Sequence, residues 1–191
     1  MKKLCMLLFL MMVPALAWSG EWLLDGSRSD VNFVSVKKES VAEVHHFKGL
    51  SGVIQEHHAE IAIDLSSIES GIAIRNQRMQ SMLFEVVRFA SAKVSVDLSG
   101  VNYEALKVGE SVTLQLPLLL DLHGIKRPVV ADVQLIAVAD GLLVTSRQPV
   151  IVKAAEFGLD GGIEALRQIA SLPSITHAVP VFFHLQFIRS R

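Results

Sequence analysis

Along most of the chain apolar and polar residues alternate with a period of two, the pattern of strands that bury one face. Ile61, Ile63 and Leu65 fall on one side of such a strand, with Ala62 and Asp64 on the other. Val94, Val96 and Leu98 alternate in the same way with Lys93, Ser95 and Asp97. The longest run sets Val112, Leu114, Leu116, Leu118 and Leu120 against Thr113, Gln115 and Asp121; after His123-Gly124, Val129, Ala131, Val133 and Leu135 alternate with Asp132 and Gln134. A reversal at Gly124 would pair these two runs as a long hairpin. Further glycines at 26, 52, 71, 100, 109 and 141 punctuate the chain at intervals suited to short turns, which predicts an antiparallel meander. Strands this numerous, each with one apolar face, remove their exposed edges by closing into a barrel, and about eight strands leave an interior that is filled or holds one ligand. The predicted class is therefore all-β, mainly antiparallel: a closed barrel of about eight strands with one or two short helices.

Two segments break the alternation. Ile72, Arg75, Met79 and Leu83 recur at helical spacing beside a polar face of Arg75, Asn76, Gln77, Arg78 and Gln80, predicting a short helix near 72–83. Ile163, Leu166 and Ile169 follow Asp160-Gly161-Gly162, where Asp160 would act near a helix N-terminus and Pro173 would stop continuation. Helices placed on a barrel in this way plug or lid one end.

The first residues read as an export signal. Lys2 and Lys3 precede an apolar run from Leu4 to Val13, and Pro14, Ala15, Ala17, Ser19 and Gly20 supply small residues for cleavage after Ala17 or Ser19. The run is too short to cross a hydrocarbon core of roughly 30 Å as a stable helix. The expected division is a signal peptide over 1–19 and one domain over 20–191. Cys5, the single cysteine, lies inside the apolar run, so neither a lipoprotein attachment nor a disulfide is available to the mature chain. Loss of Lys2 and Lys3 takes the formal net charge from −1 to −3 and leaves no basic cluster, which argues against nucleic acid as a partner. Hydrophobic residues make up 51% of the chain, more apolar side chain than a small solid core obviously requires.

Candidate chemistry is sparse. Gly49-Leu50-Ser51-Gly52 lacks the spacing of a nucleophile elbow, and no phosphate-binding glycine pattern follows a strand. His45-His46 and His57-His58 are adjacent pairs, whose members point to opposite faces of a strand, and no helical His-x-x-x-His is present, so no metal site is expected. Arg75 and Arg78, three positions apart, share a helix side and suit either a head group at a pocket mouth or surface ion pairs with Glu69 or Glu85. For catalysis only His123, Glu69 and Arg75 can be assembled. On periodicity alone, a solid core is the better reading of the apolar strand faces, because packed interiors are the norm.

Four strings in order resemble the YceI-like family. They are Trp22, Leu24, Asp25, Ser29, Val31 and Phe33 with Phe47 in the next strand; Ser67 to Gly71 followed by Arg75-Asn76-Gln77-Arg78-Met79 and Leu83-Phe84-Glu85; His123-Gly124-Ile125-Lys126-Arg127-Pro128-Val129; and Ala178-Val179-Pro180-Val181-Phe182-Phe183. Many members carry an Arg-Asp-x-His helix where this chain has Arg75-Asn76-Gln77-Arg78, and Tyr-Pro where Phe89-Ala90 stands; the segment from Gly161 to His177 looks inserted. The resemblance implies a lipocalin-like barrel, exported to the periplasm, that binds a polyisoprenoid lipid. It reverses the preference for a solid core and places Phe33, Phe47, Leu83, Phe84, Leu116, Leu118 and Val133 along an apolar tunnel, with Arg75 and Arg78 at its mouth. The function implied is a carrier of a polyisoprenoid or isoprenoid quinone, not an enzyme. No cofactor other than the bound lipid is expected, no stable membrane span, and a homodimer is left open. The competing readings are a lipid-modifying or stress-related envelope enzyme and a structural envelope protein with a filled barrel.

Overall fold

The computed structural model describes residues 21–190; the expected signal peptide over 1–19 lies outside them. The chain forms β1 (Trp22–Leu24), β2 (Asp30–Lys37), β3 (Val41–Phe47), β4 (Leu50–Gln55), β5 (His58–Asp64), β6 (Ile68–Glu69), helix α1 (Ala73–Arg78) running into a π-helical turn (Met79–Leu83), β7 (Ser91–Asp97), β8 (Ser111–Leu122), β9 (Ile125–Val138), β10 (Gly141–Ser146), β11 (Val150–Lys153), α2 (Asp160–Ile169) and β12 (Ala178–Arg189). All named pairings are antiparallel, and the order β1-β4-β5-β7-β8-β9-β10-β12 closes on itself through β1–β12. Several short strands are halves of longer ones. A 3₁₀ turn at Gly26–Arg28 interrupts β1 and β2, β3 runs into β4, a 3₁₀ turn at Leu65–Ser67 separates β5 from β6, and β10 and β11 both pair with β12. The result is an eight-stranded up-and-down barrel.

Local chemistry explains the breaks. Asp25 caps the first 3₁₀ turn by accepting from the Ser27 N–H at 3.0 Å, while Asp64 accepts from the Ser66 N–H at 2.8 Å to cap the second. Short polar side chains that bond to nearby backbone in this way compete with the sheet ladder and end a strand. The long hairpin pairs Leu122 with Ile125, leaving His123-Gly124 as a two-residue loop. Both residues have positive φ, 55° and 75°, the geometry of a type I′ turn that matches strand twist.

The alternation sets which side chains face in. On β8 every even position from Val112 to Leu122 is less exposed than its odd neighbours, and on β9 Ala131, Val133, Leu135 and Ala137 are buried. Strand β12 runs the length of the barrel. At its Arg189 end Trp22 packs edge-on against buried Tyr103, with ring centroids 6.3 Å apart, closing that end. At its Ala178 end, α1, the π turn and α2 lie across the opening.

Candidate functional site

Two helices form the lid, and a glycine lets them meet. A Cβ on Gly162 of α2 would stand 2.6 Å from the Met82 carbonyl oxygen and 2.7 Å from Leu83 Cα, so only a residue without a side chain fits there. Asp160 is the first helical residue but makes no cap bond; its carboxylate instead accepts from His177 Nδ1 at 2.6 Å, tying the start of α2 to the strand-entry segment. The segment from Gly161 to His177 thus covers the mouth. Its backbone is stitched to the end of β2, where Lys38 N–H donates to Ser174 O at 3.2 Å and Thr176 N–H to Val36 O at 2.9 Å.

Beneath this lid three voids adjoin one another. An outer chamber of about 330 Å³ lies between β2, β3, α1 and α2. It shares Phe33, Leu83, Ile163 and Val179 with a middle void of about 140 Å³, which in turn shares Val31, Ile63, Leu120, Val152 and Val181 with an inner void of about 150 Å³ in the barrel. Leu116, Leu118 and Val133 line the inner void; Phe47 and Phe84 line the middle one; Phe33 and Leu83 line both the middle void and the chamber. The inner walls are apolar throughout apart from Tyr103 at the closed end.

The chamber is different, since one wall is aliphatic and the other polar. Ile72, Ile74 and Ile169 form an exposed apolar rim. Opposite them, Glu43 receives Lys37 Nζ at 2.9 Å and Arg75 Nη1 at 2.7 Å. Burial alone would raise the Glu43 pKa, but the hydrogen bonds from Arg75 and Lys37 prevail and hold it below the ordinary carboxylate value. Arg75 also donates to the Ser70 hydroxyl at 2.9 Å and carbonyl at 2.6 Å. Arg78 lines the same chamber and makes neither an ion pair nor a side-chain hydrogen bond among the described residues. Neither arginine pairs with Glu69 or Glu85, as the surface alternative had it: Glu69 binds Lys48 and Asn76, and Glu85 binds Arg88.

His45, noted in the sequence only as one of an adjacent pair, lines the chamber together with Lys37 and Glu43, which the sequence did not single out. It is 3% exposed, inward-facing between Glu43 and Phe47, with its Nε2 2.8 Å from the Ser35 hydroxyl and its ring 4.9 Å from that of Phe33. Burial, reinforced by the Arg75 charge, lowers its pKa to about 4, so the imidazole is neutral at neutral pH. Its Nδ1 is buried without a partner, and an unmet polar group of this kind costs about 1–3 kcal/mol. His46 points outward and bonds Asp30 at 3.0 Å. Among the described residues no group of three or more His, Cys, Asp or Glu is placed to hold a metal ion.

The three residues considered for catalysis are not brought together. Glu69 and Arg75 connect only through Asn76 and Ser70. His123 sits apart, 4.2 Å ring to ring from Phe89, with Nε2 3.3 Å from Glu85 Oε1 and Nδ1 3.3 Å from the Phe157 carbonyl oxygen.

A lidded eight-stranded barrel with an apolar interior is a shape that families share by descent, and here the sequence matches the YceI-like domain over residues 22–187. The chain belongs to the YceI-like family. Among solved structures this YceI-like chain is similar to a polyisoprenoid-binding domain from Saccharophagus degradans implicated in plant cell wall breakdown. The two are 37% identical, with a TM-score of 0.86 over 88% of this chain and 98% of that one. It shares its fold with BcnA of Burkholderia cenocepacia, at 18% identity and TM-score 0.67 over 85% of this chain and 98% of the other. A mutant YceI protein of Campylobacter jejuni follows at 12% identity and TM-score 0.53, covering 77% and 84%. No curated protein matches the sequence.

Proposed function

We propose that this YceI-like protein is a periplasmic carrier of a long-chain apolar lipid, a polyisoprenoid or isoprenoid quinone, and performs no chemistry of its own. The observation that carries the proposal is the run of adjoining voids from a half-polar chamber to a fully apolar barrel interior. A chain with a small polar head and a long hydrocarbon tail has that distribution of polarity. Burying the tail gains about 0.8 kcal/mol per CH₂, so affinity comes from area and needs no cofactor. The polyisoprenoid-binding relative supports the same ligand class. Export is supported by the Lys2-Lys3 start and the apolar run after it. Among the described residues no helix is long and apolar enough to cross a membrane.

The test uses Leu118, which faces the inner void from the middle of β8. In Leu118→Trp the extra bulk of the indole is smaller than the void of about 150 Å³, so it should occupy tail space while the barrel stays folded. The expected result is loss of co-purifying lipid with a near-normal melting temperature. A filled, structural barrel would instead be overpacked and lose roughly 1–3 kcal/mol of stability, in a protein that never held lipid.

A further inference from the structure

We propose that the lid end of the barrel docks on the surface of an anionic lipid bilayer, through exposed apolar side chains set among unpaired cations. This rests on the carrier reading above and adds the surface from which the lipid is taken. Four segments meet at this end: the β2–β3 hairpin, the start of α1, the loop after the π turn and the end of α2. Each carries exposed apolar side chains, in turn Val41, Ile72 with Ile74, Val87, and Ile169. Val87 is fully exposed and contributes nothing to the core. It lies near the His123-Gly124 turn, because Phe89, two residues on, packs against the His123 ring. Exposed apolar residues scattered singly over a surface are ordinary, but a ring of them around the mouth of an apolar interior marks a contact surface.

Charge decides what covers that ring. Around the lid, Lys38, Arg78 and Arg127 have no ion pair among the described residues. The acids there are engaged: Glu85 with Arg88, Glu156 with Lys153, Glu164 with Arg167 and Asp160 with His177, leaving Glu39 as the exception. At the closed end the balance reverses, and Glu21, Glu56, Glu104 and Glu110 have no ion pair among the described residues. The chain as a whole carries more acid than base, so it has no general attraction to an anionic surface. Attraction to charged lipid fades within a Debye length, so the end that faces the bilayer sets the sign. Only the lid-first orientation brings the cations to the lipid and holds the acids away. It also sets the mouth of the lipid path against the bilayer, so that an apolar tail enters without crossing water.

The experiment measures binding of the purified protein to vesicles of phosphatidylglycerol and phosphatidylcholine in equal parts, and to phosphatidylcholine alone, at low and high salt. The expected result is binding to the mixed vesicles about tenfold tighter than to the neutral ones, weakened by salt. Val87→Asp should weaken it about tenfold with the melting temperature unchanged, whereas Val108→Asp, at an exposed valine of the closed end, should bind like the wild type. Reversing the charges in Lys38→Glu with Arg127→Glu should abolish the preference for anionic lipid. Tryptophan emission reports the orientation: against the wild-type background, Val87→Trp should shift to the blue on the mixed vesicles and Val108→Trp should not. Absence of binding to the mixed vesicles overturns the inference. So does an equal loss in Val87→Asp and Val108→Asp, a preference that survives charge reversal, or a blue shift confined to Val108→Trp. These readouts need no bound ligand, so each such failure leaves the carrier reading standing. A protein that docks lid-first but takes up no lipid would instead overturn the carrier reading and leave the docking surface.

Discussion

Acid should destabilise this protein through one buried ring before its carboxylates respond. His45 has an ordinary pKa of 6.5 in the unfolded chain and about 4 in the fold, because it is buried and faces Arg75. With the folded pKa the lower one, the unfolded chain takes up the proton first. Stability is therefore fully present above the unfolded value and falls as pH drops from about 6.5 towards 4. Between about pH 7 and pH 5 the proton uptake of this one group removes about 2 kcal/mol. For a domain of this size that is a fall in Tm of roughly 4–8 °C. The strongly shifted carboxylates, Asp25, Glu69 and Glu164, are each lowered to about 2 from ordinary values of 3.8 or 4.5, so their losses come mainly below that window. The assay is thermal unfolding of the wild type and of His45→Gln across this range. The wild type should lose about 2 kcal/mol more than the variant. Parallel curves from pH 7 to pH 5 would refute the placement of a neutral, desolvated His45 beside Arg75.

Two further outcomes follow from the lid and the leader. Gly162→Ala should destabilise the protein by roughly 1–3 kcal/mol, since the new methyl meets backbone atoms of the π turn; helix propensity alone predicts the opposite sign, a gain of about 1 kcal/mol, so thermal unfolding decides between them. N-terminal sequencing of the protein recovered from the periplasm should begin near Trp18 or Gly20, and an intact Met1 on a membrane-bound form would contradict export with cleavage.

The barrel was legible because parity is a strong signal where strands are long. Leu114 to Leu120 and Val129 to Leu135 place their apolar faces without help from the rest of the chain, and His123-Gly124 marks its own turn. The helix near 72–83 was legible by spacing, but not its change to a π turn at Met79 or the close approach of that turn to α2 at Gly162. The strand breaks at Asp25 and Asp64 are side-chain caps, two residues from the serines they bind, and such short signals are lost in a periodicity scan. The nine proposed ligand residues all line one of the three adjoining voids. Of the polar wall of the chamber, Arg75 and Arg78 were placed at the mouth but Lys37, Glu43 and His45 were not, although one signal was present: Glu43 and His45 share the parity of Phe47, whose inward face was assigned. An ion pair between Glu43 and Arg75 spans 32 residues of chain and a strand-to-helix contact, which no local pattern encodes.

The central claim is that the barrel interior holds a long apolar lipid. It is tested most directly by mass spectrometry of an organic extract of the purified, folded protein, quantified against protein concentration. The account predicts one long-chain lipid of isoprenoid type per protein molecule, lost in parallel with its binding site in Leu118→Trp. A wild-type extract without stoichiometric lipid, from protein that also fails to bind added geranylgeraniol, would contradict it.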